Sequence, residues 1–181
     1  MNELRVGIAG YGVVGRRRRE IVDQDDRLRL VAICDQVCPD GVLEDGVRGF
    51  RDIRRLLDEP LDVLLVCLTN DVAAEVTIAG LAAGMHVFCE KPPGRTVAEV
   101  NEVMGEEARH PGLKLMYGFN HRYHDSVRDG LAMLRDGDLG RVISLRGLYG
   151  KAKLVTFDQP DWRTRRETAG GGVLLDQGIH M

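Results

Sequence analysis

The sequence contains no apolar run approaching the roughly eighteen residues that a membrane-spanning helix needs, so no membrane partner is expected. It also lacks a basic excess. Its 25 Lys and Arg are outnumbered by 28 Asp and Glu, for a net charge of −3, which argues against nucleic acid as a partner. There are four cysteines (Cys34, Cys38, Cys67 and Cys89), with irregular spacing and mostly within apolar, strand-like runs. Neither a disulfide framework nor a zinc site is well supported by that pattern. Buried free thiols in a reducing compartment are expected, with no metal. No internal repeat or low-complexity linker interrupts the chain. It opens almost directly on LRVGIAG, so no leader peptide is expected, and a cytoplasmic location follows as an expectation.

What is present is an alternation. LRVGIA reads as a strand and VVGRRRREIVDQ as a helix, followed by a second strand, LRLVAIC. After a loop, RDIRRLLDE makes a short helix stopped by Pro60. LDVLLVCL is apolar nearly throughout, as a strand covered on both faces should be. AAEVTIAGLAAG reads as a helix ending at Gly84, HVFCE as a strand, VAEVNEVMGEEAR as a helix capped by Thr96, and LKLMYGF as a further strand. This rhythm predicts a doubly wound α/β domain, a parallel sheet with helices on both faces, over residues 1–118. From 119 to 181 the rhythm changes. SVRDGLAMLRDGDLG predicts a helix closed by glycines, RVISLRGLYGKAKL one long strand, TFDQPDWRTRRETAGGG a polar loop, and the last residues a helix. One strand and two helices bury an apolar face poorly, so this second region is expected to be the start of an incomplete, truncated substrate domain, with self-association through it or disorder of the last sixty residues.

Gly10-Tyr11-Gly12-Val13-Val14-Gly15 fits G-x-G-x-x-G. With 22 glycines in the chain the pattern alone is weak, but here a strand enters it, a helix leaves it, and Asp35 stands 20 residues after Gly15 at the end of the second strand. In that setting Gly10 permits the turn, Gly12 lets a pyrophosphate approach the backbone, and Gly15 allows close packing of helix on strand. The helix N-terminus offers free N–H groups to phosphate. Asp35 would bind a ribose diol and repel a 2′-phosphate, which favours NAD over NADP. The run Arg16–Arg19 is read mainly as the solvated face of the first helix, with one side chain near its start available to phosphate.

Glu90-Lys91-Pro92 lies just past the carboxyl end of a strand, the edge at which open α/β sheets bind ligands. The candidate cofactor contacts at that edge are residues 10–15 with Asp35, Thr69, Asn70, Glu90, Lys91 and Asn120. In the closing GGGVLLDQGIHM, Asp176 and His180 are four apart, which on a helix puts them on one face. By itself that spacing fits an ordinary surface pair equally well. Arg122, Lys151, Trp162 and Arg163 are candidates to line a substrate pocket, although a tryptophan beside basic residues is as often structural.

Taken together, the glycine motif, CEKP, FNHRY, DGDLGRV and GGGVLLDQGIH resemble the glucose–fructose oxidoreductase / inositol dehydrogenase / MocA family of NAD(P)-dependent oxidoreductases. The resemblance implies a Rossmann domain followed by an α/β domain built on a large open sheet, together about twice as long as this chain. It implies hydride transfer between a nicotinamide cofactor and a hydroxyl or keto group of a sugar, cyclitol or nucleotide sugar, and a homo-oligomer formed through the second domain. It also implies that Lys91, Asp176 and His180 are the catalytic set, and that Asn120 and Arg122 sit at the domain junction near the nicotinamide. Two departures stand out: the histidine that relatives often carry in the stretch here written TNDVAAEV, and the proline that commonly follows the Arg-aromatic pair, here RYHD, are both missing. A different class of protein, one that binds NAD without turnover, is the competing expectation.

Overall fold

A computed structural model describes residues 3–150 and 162–180. In the first region the elements are β1 (Leu4–Ala9), α1 (Val13–Val22), β2 (Leu28–Cys34), β3 (Gly41–Val42), β4 (Arg48–Phe50), α2 (Ile53–Leu57), β5 (Val63–Val66), α3 (Asn70–Ala82), β6 (His86–Cys89), α4 (Val97–Arg109) and β7 (Leu115–Tyr117). The strands form one sheet of order β3-β4-β2-β1-β5-β6-β7, parallel except for the β3–β4 pair. The chain winds outward from β1 through β2 to β4, then returns to begin again at β5. The topological switch therefore lies between β1 and β5, where the carboxyl ends of two outward-winding halves leave a crevice.

Alternation along β1 shows that both faces are covered. A Cβ on Gly7 would meet Leu56 of α2, whereas one on Gly15 of α1 would meet Ile8. Successive residues of β1 thus face different helices, as the two-residue period of a strand requires. The larger core joins Ala9, Phe50, Leu56, Leu64, Val66, Val76, Leu81, Val87 and Cys89, and the smaller one is built on Ile8 and Ile33. Helix boundaries carry their expected signals. Thr96 Oγ1 accepts the Glu99 N–H at 3.2 Å, and Gly84 takes the left-handed conformation (φ +84°) one residue past the α3 C-cap.

The sequence reading is corrected at two places here. The loop after β2 holds two short strands, β3 and β4, which propensity in so few residues does not announce. Within the Arg16–Arg19 run, Arg18 and Arg19 are half-buried and paired: Arg18 bonds Glu90, and Arg19 bonds Tyr11, Asp45 and Asp23. All four cysteines are free thiols, three of them buried, and burial pushes Cys34 up to about 11 and Cys67 and Cys89 up to about 12.

After β7 the chain makes a 3₁₀ turn (Asn120–Tyr123) and α5 (Asp125–Asp136), which ends on left-handed Gly137. The long strand expected from residue 141 is absent from its described part, 141–150, where Ile143, Leu145 and Leu148 are 90%, 87% and 92% exposed. Among the described residues no strand lies beside it, and without a neighbour there is no hydrogen-bond ladder to hold an extended chain. The expected polar loop contains a 3₁₀ turn (Trp162–Thr164) and α6 (Arg166–Ala169). The expected closing helix is broken in two, as α7 (Val173–Asp176) and a 3₁₀ turn (Gly178–His180) around buried Gln177. None of the helices is long and apolar enough to cross a membrane, among the described residues.

Candidate active site

The glycine loop follows β1. Gly10 has φ +89°, and a side chain there would meet the Cys67 carbonyl oxygen at 2.5 Å. Gly15 lies so close to the strand that its Cβ would stand 2.0 Å from the Gly10 carbonyl oxygen. Gly12, by contrast, caps α1 with nothing within 4 Å of where its Cβ would be. Two glycines are therefore demanded by packing inside the protein. The third keeps open the surface above the first N–H groups of a ten-residue helix. Asp35 closes the far side of the loop, its Oδ2 accepting the Tyr11 N–H at 2.7 Å and its Oδ1 accepting Val37 N–H at 3.2 Å. Each oxygen retains lone-pair capacity for a ribose hydroxyl. An open backbone cradle at a helix N-terminus with an acceptor carboxylate at the neighbouring strand end fits an adenine dinucleotide. Tyr11, Val13 and Val14 are the loop and first-turn residues that carry this surface.

Further along the same edge, Glu90 follows β6, but its carboxylate is gripped from below by the Arg18 guanidinium, which also lies 4.7 Å over the Phe88 ring. Glu90 therefore anchors its loop to α1, a role the sequence reading missed. Lys91 comes next, joined to Pro92 by a cis peptide. Its Nζ donates to Asp176 Oδ1 at 2.8 Å and to the Asp176 carbonyl oxygen at 2.7 Å. The two side chains are 19% and 28% exposed, so the pair is shielded without being sealed.

That contact belongs to a wider dock between the closing segment and the first region. Asn70 Nδ2 donates to the Ala169 carbonyl oxygen at 2.9 Å in a buried position. The Arg95 guanidinium donates to the Glu167 carbonyl oxygen, and Gly170 (φ +80°) packs so tightly that a Cβ would lie 2.4 Å from Arg95 Cβ. Asn70, expected at the cofactor, thus has its amide nitrogen engaged by the closing segment, while Thr69 stands at the α3 N-cap. Asn120 is exposed in the turn after β7.

Asp176 and His180 are not neighbours on one helix face, because the helix ends between them. His180 is instead held by rings: His121 stacks on it with centroids 4.2 Å apart and 27° between planes, and Tyr149 and Phe119 meet it edge-on at 6.1 and 6.4 Å. Its Nδ1 is buried with no hydrogen-bond partner among the described residues. Burial lowers the His180 pKa below the usual histidine range, the charges of His121 and Lys91 lower it further, and Asp176 opposes them. Phe119, His121, Arg122, Ile179 and His180 line a cavity of about 290 Å³. A second, about 190 Å³, is lined by Asn70, Trp162, Arg163, the paired glycines Gly171 and Gly172, and Asp176. Trp162 and Arg163 are thus brought beside Asp176, with the Arg163 guanidinium 4.4 Å over the indole. Lys151 lies outside the described residues. The sequence reading singled out Asn120 and Arg122 in FNHRY and passed over His121 between them, a titratable ring in a motif already marked as junctional.

Residues 4–119 match the family described as "Oxidoreductase family, NAD-binding Rossmann fold", and residues 128–181 match the GFO/IDH/MocA C-terminal domain. The chain belongs to the GFO/IDH/MocA family. It is 33% identical over 186 residues to D-glucoside 3-dehydrogenase of Escherichia coli (strain K12), covering 98% of this chain and 52% of that protein. It is 28% identical over 188 residues to myo-inositol 2-dehydrogenase of Thermotoga maritima, with 98% and 52% covered. Among solved structures, it is similar to myo-inositol 2-dehydrogenase from Lactobacillus plantarum, with a TM-score of 0.70 and 32% identity over 78% of this chain and 44% of that one. The chain spans about half the length of these relatives. As in the rest of the family, its first region is an NAD-binding Rossmann fold, in agreement with the open cradle at Gly12.

Proposed function

We propose that this chain carries the cofactor and acid–base residues of an NAD-dependent dehydrogenase that oxidises a ring hydroxyl of a cyclitol or sugar. The observation that carries this reading is the Lys91–Asp176 pair, which ties the ligand edge of the sheet to the segment bearing His180. The relatives named as inositol and glucoside dehydrogenases support the substrate class. The nicotinamide, when bound, accepts hydride. The chain's own residues handle the rest. His180, kept neutral at physiological pH, takes the hydroxyl proton. Lys91 lends its positive charge to the oxygen as that proton leaves. Asp176 orients Lys91 through two oxygens, its Oδ1 and its carbonyl. Asn120 and Arg122 flank the nicotinamide end, and Trp162 and Arg163 wall the sugar.

Asp35 supports NAD over NADP, because a 2′-phosphate would bring negative charge against its carboxylate. The division into a Rossmann domain (1–118) and a substrate domain (119–181) belongs to the same reading. So does association of copies through the second domain, supported by the exposed apolar side chains at 143, 145 and 148. A cytoplasmic site is supported by the four free thiols, and the net charge of −3 gives nucleic acid little to bind. The test is NADH production from myo-inositol and a panel of glucosides, with His180→Asn and Lys91→Ala as variants. Each should lower turnover by about 10²-fold or more while leaving NAD binding intact. Near-normal turnover in His180→Asn would overturn the role given to that residue.

A further inference from the structure

His180 is an unusual base in its setting. One ring nitrogen is buried without a hydrogen-bond partner among the described residues, so no carboxylate or carbonyl there orients the imidazole. The residue stands in a three-residue 3₁₀ turn, which holds a side chain less firmly than a helix interior does. Something else must fix the ring, and three rings are laid against it: His121, Tyr149 and Phe119. Of these His121 alone is stacked in parallel, and His121 is itself wedged edge-on by Tyr149 at 4.9 Å and His124 at 5.5 Å. The clamp is therefore built from the turn after β7 and closes on a residue 59 positions later in the chain (180 − 121).

We propose that His121 is a positioning residue that acts through His180, holding its imidazole in the cavity by stacking and coupling its protonation to that of a second imidazole. The inference rests on the reading of His180 as the base. Its physical basis is that an imidazole can stack and carry charge, whereas phenylalanine can only stack. A proton on either ring opposes a proton on the other at 4.2 Å, so the neutral form of His180 is favoured by its neighbour as well as by burial. The other charged groups around His180 are Lys91 from the loop after β6, which acts in the same direction, Asp176 from α7, which opposes it, and Arg122, which lines the same cavity from the turn after β7. Tyr149 and His124 stand at the edges of the ring cluster.

Three variants separate stacking from charge. The His180 C2–H resonance, assigned by its loss in His180→Asn, is followed by proton NMR against pH in the parent chain, in His121→Phe and in His121→Ala. The parent should titrate below an ordinary histidine. His121→Phe should keep the ring-current shift of the His180 resonance while its midpoint moves up. His121→Ala should lose the ring-current shift, and turnover with it, by roughly ten- to hundredfold. In His121→Phe the acid limb of the pH profile of turnover should move to higher pH. An unmoved midpoint in His121→Phe would overturn the coupling, and an unchanged His180 resonance in His121→Ala would overturn the clamp. Should His121→Ala fail to fold, the phenylalanine variant decides alone. The NMR readings need no turnover, so an active His180→Asn would sink the base reading and leave the clamp standing.

Discussion

Residues 3–118 and the described residues that follow them are held by different means. In the first region the sheet supplies its own core, with side chains from β1, β2, β5 and β6 buried between helices. In the second, Ala169 is the one buried apolar residue among those described, and the stretch 120–150 has no buried residue at all. What order the closing segment has is borrowed from the first region, through Asn70, Lys91 and Arg95. The lesson is that the candidate site lies on a seam between a self-supporting fold and a dependent one. Its residues should therefore undock without unfolding what holds the cofactor.

The largest effect should come from Gly15→Val. Its Cβ would press on the Gly10 carbonyl oxygen, so backbone must move, at about 3 kcal/mol or more of global stability, read by chemical denaturation. Gly12→Val makes the sharper contrast within the same motif. With nothing within 4 Å, it should change stability by less than about 1 kcal/mol yet abolish NAD binding in titration calorimetry. Retained binding in that variant would remove the pyrophosphate from this loop.

Undocking comes next in size. Gly170→Ala forces a left-handed position against Arg95, and Asn70→Ala leaves the buried Ala169 carbonyl unpaired. Each should lower the opening free energy of residues 162–180 by about 1–3 kcal/mol in amide hydrogen exchange, with protection of β1 and β5 unchanged. A loss of protection that spread through the sheet would end the distinction between the two regions.

Acid should separate them more gently. The His180 pKa is depressed in the folded state, so the stability it contributes is full above its ordinary value of 6.5 and is lost as pH falls through the lower folded value. Asp62, brought down to about 2 by the Arg5 side chain that bonds it, contributes in the first region above 3.8 and loses that contribution only between there and about 2. Protection of residues 162–180 should thus decline at a pH where the sheet is untouched. The smallest effect is on cofactor choice: Asp35→Ser, with a basic residue beside it, should shift preference toward NADP in competition binding. A parent chain that already prefers NADP would contradict the role given to Asp35.

The alternation of strand and helix, the glycine motif, Asp35 and the family were all legible in the residues themselves. These features depend on neighbours in sequence: a two-residue or 3.6-residue period, a turn needing positive φ at Gly10, a carboxylate at the next strand end. The short strands β3 and β4 were not legible, because two or three residues become a strand only when β2 offers them an edge. The predicted strand after residue 140 failed for the converse reason, its apolar residues having no described edge to join. The spacing of Asp176 and His180 suggested one helix face, but the dock at Gly170 and Lys91 sets the path of the chain, and the helix breaks at Gln177. Tertiary structure alone decided that Lys91 would hold Asp176 across 85 residues, that Arg18 would hold Glu90 across 72, and that a histidine inside FNHRY would stack on the last ring of the site. Such contacts form between surfaces that meet only after the sheet is built, and no local period encodes which surfaces those are.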